Sequence, residues 1–133
     1  MPYLNVKLSA PESPEITERI ASMLTTLTVD VLKKKREVTS VALDYVNAQR
    51  WHIGGASLAT QKTATFYLEV KITEGTNTKD EKASYVQQVF AAVESVLGML
   101  HPASYIVIHE VRADAWGYGG ATQEFRHING KRL

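Results

Sequence analysis

The sequence predicts an α/β fold, a single domain of two tandem β-α-β units forming a four-stranded sheet with two helices on one face. Three observations predict it. Residues 3–8 read Tyr-Leu-Asn-Val-Lys-Leu and residues 67–72 read Tyr-Leu-Glu-Val-Lys-Ile, an offset of 64. Residues 46–56 (Val-Asn-Ala-Gln-Arg-Trp-His-Ile-Gly-Gly-Ala) return at 111–121 (Val-Arg-Ala-Asp-Ala-Trp-Gly-Tyr-Gly-Gly-Ala), an offset of 65. Between the matches each copy has the same order: an alternating segment, a helical stripe, then a second apolar segment. Two independent matches at nearly one offset mark a doubled unit. The units fall at 1–56 and 65–133, with 57–64 as linker.

The elements follow in order. Leu4, Val6 and Leu8 alternate with Tyr3, Asn5 and Lys7, which is the period of a strand. Ser13-Pro14 places an N-cap before a proline at the first helical position. Ile16, Ile20, Met23, Leu24, Leu27 and Val31 then recur at helical spacing. A second strand is expected over about 39–46. In the second copy Leu68, Val70 and Ile72 repeat the alternation. Thr78 and Glu81 have the spacing of a capping box. Val86, Val89, Phe90, Val93 and Leu97 form the apolar stripe, Gly98 is a natural stop, and residues 105–111 supply the closing strand. Each β-α-β unit should have parallel strands and a right-handed crossover. One sheet face is then left uncovered, carrying Asn5, Lys7, Glu69 and Lys71. Other subunits are expected to cover it, with the Gly-Gly turns and the C-terminal tail supplying strands between subunits.

Composition narrows the function classes. The chain has 133 residues, 44% of them hydrophobic, which suits one packed domain. Its 15 basic and 14 acidic residues leave a net charge of +1, without the basic excess of a nucleic-acid binder. The one dense basic run, Lys33-Lys34-Lys35-Arg36, reads as a solvated helix end; a phosphate or anion contact is the alternative. With no cysteine, disulfide and thiolate chemistry are excluded. No apolar run is long enough for a membrane span and no secretory signal opens the chain, so a cytoplasmic location is expected. His52, His101, His109 and His127 lack ligand spacing, so no metal is expected, and no cofactor.

The opening Met-Pro-Tyr-Leu-Asn-Val-Lys, the turn Trp51-His52-Ile53-Gly54-Gly55 and its copy Trp116-Gly117-Tyr118-Gly119-Gly120 resemble 4-oxalocrotonate tautomerase. The doubled chain resembles the fused members of the tautomerase superfamily, with their tautomerase/MIF-like α+β fold. The resemblance covers nearly the whole chain. It implies a homotrimer and a catalytic Pro2 whose amine is freed when Met1 is removed. It also implies enol–keto interconversion of a small 2-oxo or 2-hydroxy-enoic acid. The alternatives on the same fold are Pro-dependent hydration, dehalogenation or decarboxylation of a three-carbon acid, or a homologue that has lost catalysis.

A terminal proline suits that chemistry. Its secondary amine titrates near the ordinary α-amino range, about 7.7–8.0, and burial lowers that value toward the working pH. The plain structural reading of Pro2 is the start of an edge strand, where a missing N–H does no harm. The second copy has Phe66, an internal residue, at the matching position, so only one amine is available per chain. The carboxylate-binding arginines of the family would fall in Ser9–Glu12, in Glu74–Asn77, or near Ser40 and Tyr105, and none is there. Arg50, Arg112 and Arg126 are the candidate replacements, each also readable as a solvated surface residue. Trp51 and Trp116 are candidates for an aromatic pocket wall, or for plain packing. Tyr105 and Tyr118 are candidate donors to a developing oxyanion.

Overall fold

The computed structural model describes residues 1–130. The first strand, β1 (Tyr3–Leu8), leads into α1 (Pro14–Leu32), and the chain returns along β2 (Ser40–Tyr45). A tight hairpin, β3 (His52–Ile53) and β4 (Ala56–Ser57), closes the first unit. The second unit repeats this order. It consists of β5 (Phe66–Thr73), α2 (Lys79–Leu97), β6 (Tyr105–Val111) and a hairpin of β7 (Gly117–Tyr118) and β8 (Ala121–Thr122), followed by α3 (Gln123–Gly130).

Local sequence fixes the helix ends as expected. Ser13 Oγ accepts from the Ile16 amide, with Pro14 opening α1. Thr78 and Glu81 make both halves of the capping box at α2, and Gly98 ends it with φ +86°. Lys33 takes the matching place at the end of α1 in the left-handed region, φ +60°. Each helix has 19 residues. Corresponding positions beyond the first strand therefore differ by 65. Within the first strand of each copy they differ by 64, because the second copy has one additional residue before its helix.

The four long strands form one sheet in the order β2-β1-β5-β6. β1 pairs parallel with β2 and β5 parallel with β6, as a β-α-β crossover requires. The two units meet antiparallel at the centre, Tyr3 opposite Lys71 and Leu8 opposite Phe66. Leu4, Val6, Leu8, Leu68, Val70 and Ile72 point at the helices and are fully buried with Ile20, Leu24, Tyr85, Val89 and Val93. Thr28 on α1 meets the Tyr85 hydroxyl on α2 at 2.9 Å inside this core. Burial pushes the Tyr85 hydroxyl up to about 12, so it is a neutral partner at all ordinary pH. The opposite sheet face, with Tyr3, Asn5, Lys7, Glu69 and Lys71, is half-buried to exposed in a single chain.

One expectation changes, and the linker gains detail. Residues 57–64 join the two units as a structured stretch. Ser57 belongs to the first hairpin, Leu58 is buried, and Ala64 bridges to Leu100. The C-terminal tail is not a strand between subunits: residues 123–130 are helical, because Thr122 Oγ1 accepts from the Phe125 amide and starts a turn. Residues 131–133 of that tail lie outside the described residues. The Gly-Gly pairs close the two hairpins within the chain. Gly119 and Gly120 have φ +60° and +82°, Gly54 and Gly55 +65° and +81°. Positive φ at both central residues is what a tight hairpin turn demands, and glycine adopts it without steric cost. No helix among the described residues is long and apolar enough to cross a membrane.

Candidate active site

The antiparallel join between β1 and β5 decides which loops meet. The C-terminal end of β6 lies beside the N-terminal end of β1, since Thr73 pairs with Val111 and Lys71 with Tyr3. The second-copy hairpin and α3 therefore arrive at the chain's own N-terminus. The first-copy hairpin leaves from the other end, where Tyr45 pairs with Leu8. The two ends are about 16 Å apart, the span of five strand residues.

At the N-terminal end Pro2 is buried, and its carbonyl accepts from the Ser40 amide at 3.2 Å. Met1 sits in front of it and lines a cavity of ≈ 400 Å³. Lys33, Lys34 and Lys35 enter this cavity from the end of α1, Thr73 and Thr76 from the end of β5, and Tyr118, Arg126 and His127 from the second-copy hairpin and α3. The Trp116 indole Nε1 donates to the Met1 carbonyl oxygen at 3.1 Å.

The cations are held in place. Lys34 Nζ donates to Thr76 Oγ1 at 2.8 Å, and Thr76 Oγ1 in turn donates to the Thr73 carbonyl. Arg126 Nη2 donates to the Tyr118 carbonyl at 2.8 Å, and its guanidinium lies 4.0 Å over the Tyr118 ring. Stacking of this kind fixes a guanidinium without neutralising it. Two buried polar atoms at the cavity, Arg126 Nε and Thr73 Oγ1, have no hydrogen-bond partner among the described residues. Buried polar groups are nearly always paired, so these two atoms are exceptions at this end of the sheet.

Electrostatics at this end favours neutral amines and bound anions. Burial, then Lys34 and Lys35, pull the Met1 ammonium below the ordinary α-amino value. Lys34 itself is lowered by burial, against the opposing pull of Glu81 and Glu110. A negatively charged group entering the cavity would relieve both.

The predicted site residues do not all come together. Trp116, Tyr118 and Arg126 join the Pro2 end. Arg50 and Trp51 do not: with Lys7, Val46, His52 and Tyr67 they line a separate shallow cavity of ≈ 310 Å³ at the opposite end. Arg112 pairs with Asp114 at 3.3 Å in solvent. Tyr105 is 63% exposed at the start of β6, beside Tyr67. Sequence reasoning assigned Lys34 and Lys35 to a solvated helix end. Lys33 and Lys35 are exposed, but Lys34 is half-buried against Thr76. The available signal was the position of the run, directly before the strand that pairs with β1.

A family model described as Tautomerase enzyme matches residues 2–61 and again residues 67–126. The chain belongs to the tautomerase family. Its two matches repeat the doubling seen in the sequence, and membership supports a tautomerase-type function. No curated protein matches this tautomerase-family chain in a sequence comparison. Among solved structures it is similar to a native fused 4-OT, 23% identical over 92% of this chain and 97% of that one, with a TM-score of 0.81. A fused 4-OT described as a wild-type symmetric trimer is 19% identical, covering 92% and 96%, at 0.80. A macrophage migration inhibitory factor homologue from Prochlorococcus marinus is 22% identical, covering 90% and 97%, at 0.74. At these identities the likeness establishes the fold.

Proposed function

We propose that this chain is a tautomerase whose base is the Pro2 amine, exposed when Met1 is removed. Its substrate is a small 2-oxo or 2-hydroxy-enoic acid. The observation that carries the reading is the cavity at the N-terminus, where Met1, the residue joined to the buried Pro2, meets Lys34, Lys35 and Arg126. The proline supplies a base on a rigid ring fixed by β1. Burial, then Lys34 and Lys35, lower the Met1 ammonium, and a Pro2 amine freed at the same end is proposed to be held toward its neutral form by the same causes. The cations hold the carboxylate in place of the arginines missing from the family positions. The proton lost from the enol oxygen, or from carbon next to the carbonyl, goes to Pro2 and returns at the other site, so no atom is gained or lost.

The exposed polar sheet face supports a homotrimer, in which neighbouring chains cover it. One of the similar structures is itself described as a symmetric trimer.

The test has two steps. Intact mass shows whether Met1 is removed. Enol-to-keto conversion of phenylenolpyruvate and 2-hydroxymuconate is then followed for the processed protein and for Pro2→Ala. Turnover that falls at least 100-fold in Pro2→Ala is the expected result, within the usual range for losing a positioned base. Equal turnover in both proteins, or none in either, overturns the reading.

A further inference from the structure

The Trp116 hydrogen bond has a consequence for the processed protein. Its acceptor, the Met1 carbonyl oxygen, belongs to the residue whose removal frees Pro2. That oxygen is about 2.3 Å from the Pro2 nitrogen, as amide bond lengths dictate. When Met1 leaves, the oxygen leaves with it. The half-buried indole N–H is then left beside the new amine, aimed at the space in front of it.

We infer that the Trp116 indole N–H is a catalytic oxyanion donor, binding the substrate's carbonyl or enolate oxygen where the Met1 carbonyl oxygen stood. This rests on Pro2 being the base. The geometry fits the reaction: a base acts on a proton held on an atom roughly 3 Å away, and the carbonyl oxygen is next to that atom. A substrate oxygen displaced by less than about 1 Å from the Met1 oxygen clears the Pro2 nitrogen and stays within hydrogen-bond reach of Nε1.

The other donors at this end have different work. Lys34 Nζ is held by Thr76. Arg126 Nη2 is held by the Tyr118 carbonyl, and Arg126 is one of the cations lining the cavity. Tyr118 lies flat under the guanidinium. These groups suit the carboxylate. Trp116 is the donor that already binds an oxygen adjoining the Pro2 nitrogen. While the proton resides on Pro2, the electron pair of the broken C–H or O–H bond lies on the enolate, and its oxygen carries the charge. A neutral donor placed there stabilises that charge without anchoring the ground-state acid more tightly.

The experiment uses full-length protein with Met1 removal verified by mass. Trp116→Phe keeps a ring at this position and deletes the donor. The expected result is a fall of roughly 100-fold in kcat with KM changed less than about threefold, the pattern of one lost oxyanion donor. Unchanged kcat in Trp116→Phe, alongside turnover abolished in Pro2→Ala, overturns the inference while leaving Pro2 as the base. Unchanged turnover in Pro2→Ala overturns both. A measurement on the unaltered protein guards against a folding defect. The chain has two tryptophans, so its indole N–H signals are assigned by comparison with Trp51→Phe. Oxalate, a planar oxyanion beside a carboxylate, should move the Trp116 signal downfield. Oxalate that shifts the Lys34 and Lys35 amides and leaves Trp116 unmoved overturns the inference.

Discussion

The two ends of the central strand pair are built by the same chain segments with different charge. At the Pro2 end the loop after the helix reads Lys33-Lys34-Lys35, and the helix after the hairpin contributes Arg126. At the other end the matching residues, 65 positions away, are Gly98-Met99-Leu100 and Gln61. The backbone roles are conserved between copies. Gln61 Nε2 donates to the Ile53 carbonyl at 3.1 Å, as Arg126 Nη2 donates to the Tyr118 carbonyl. The Leu58 amide donates to the Trp51 carbonyl, as the Gln123 amide donates to that of Trp116. The position matching Pro2 is Phe66, fully buried in the core. The scaffold is thus repeated in both copies, while the helix-end lysines and the hairpin arginine occur only at the end that carries the chain's N-terminus.

Four predictions bear on that contrast. The largest concerns the hairpins. A Cβ on Gly117 would clash with the Ala121 carbonyl oxygen, whereas His52, its counterpart, already has a side chain. Gly117→Ala should cost about 1–3 kcal/mol of stability and lower turnover by displacing Trp116 and Tyr118, read by thermal melting and kcat. His52→Ala should leave both unchanged. Equal effects would show that the hairpins are functionally equivalent.

Next comes charge. Arg126→Gln converts the second copy to the chemistry of the first, keeping an amide donor for the Tyr118 carbonyl. We expect KM to rise about tenfold or more, the loss of one charge-assisted bond, with little change in Tm. Gln61→Ala should reduce Tm slightly and leave KM alone.

The third prediction concerns pH. Burial, then Lys34 and Lys35, lower the Met1 terminal amine, and Lys33, Glu81, Glu110, Arg126 and His127 are further titratable or charged groups around that loop. A cationic acid whose pKa is depressed loses its proton earlier as pH rises. Lys34→Gln should therefore raise the amine's pKa and move the acid limb of the kcat/KM profile to higher pH. Substitution of Met99, its counterpart, should not move it.

The smallest effect is at the helix caps, where the copies are alike. Thr78→Ala and Ser13→Ala should each destabilise by about 1 kcal/mol, measured by urea titration, with kcat unchanged.

Much of this was legible in the amino-acid order. The repeat, the strand alternation of Leu4, Val6 and Leu8, and the caps at Ser13 and Thr78 are local signals. Local rules suffice for them, because backbone hydrogen bonds and side-chain periodicity act over a few residues. Pro2 was legible as a candidate for the same reason, being defined by its place in the chain. Its partners were only partly so. Arg50 and Trp51 precede the first Gly-Gly turn just as Trp116 precedes the second, and sequence alone ranks them together. Lys34 and Lys35 read as a solvated helix end, because nothing near them in sequence says what faces them.

Sequence by itself determined the doubled unit, the order of strands and helices, and a single proline at the start of β1. Tertiary structure alone decided which residues gather at the chain's N-terminal end. Pairing β1 antiparallel with β5 brings the end of the second copy, Trp116, Tyr118 and Arg126, onto the start of the first. The same pairing sends Arg50 and Trp51 to the far end. Strand direction across a long-range pair is set by the packing of both helices on one sheet face, and no local residue pattern encodes it.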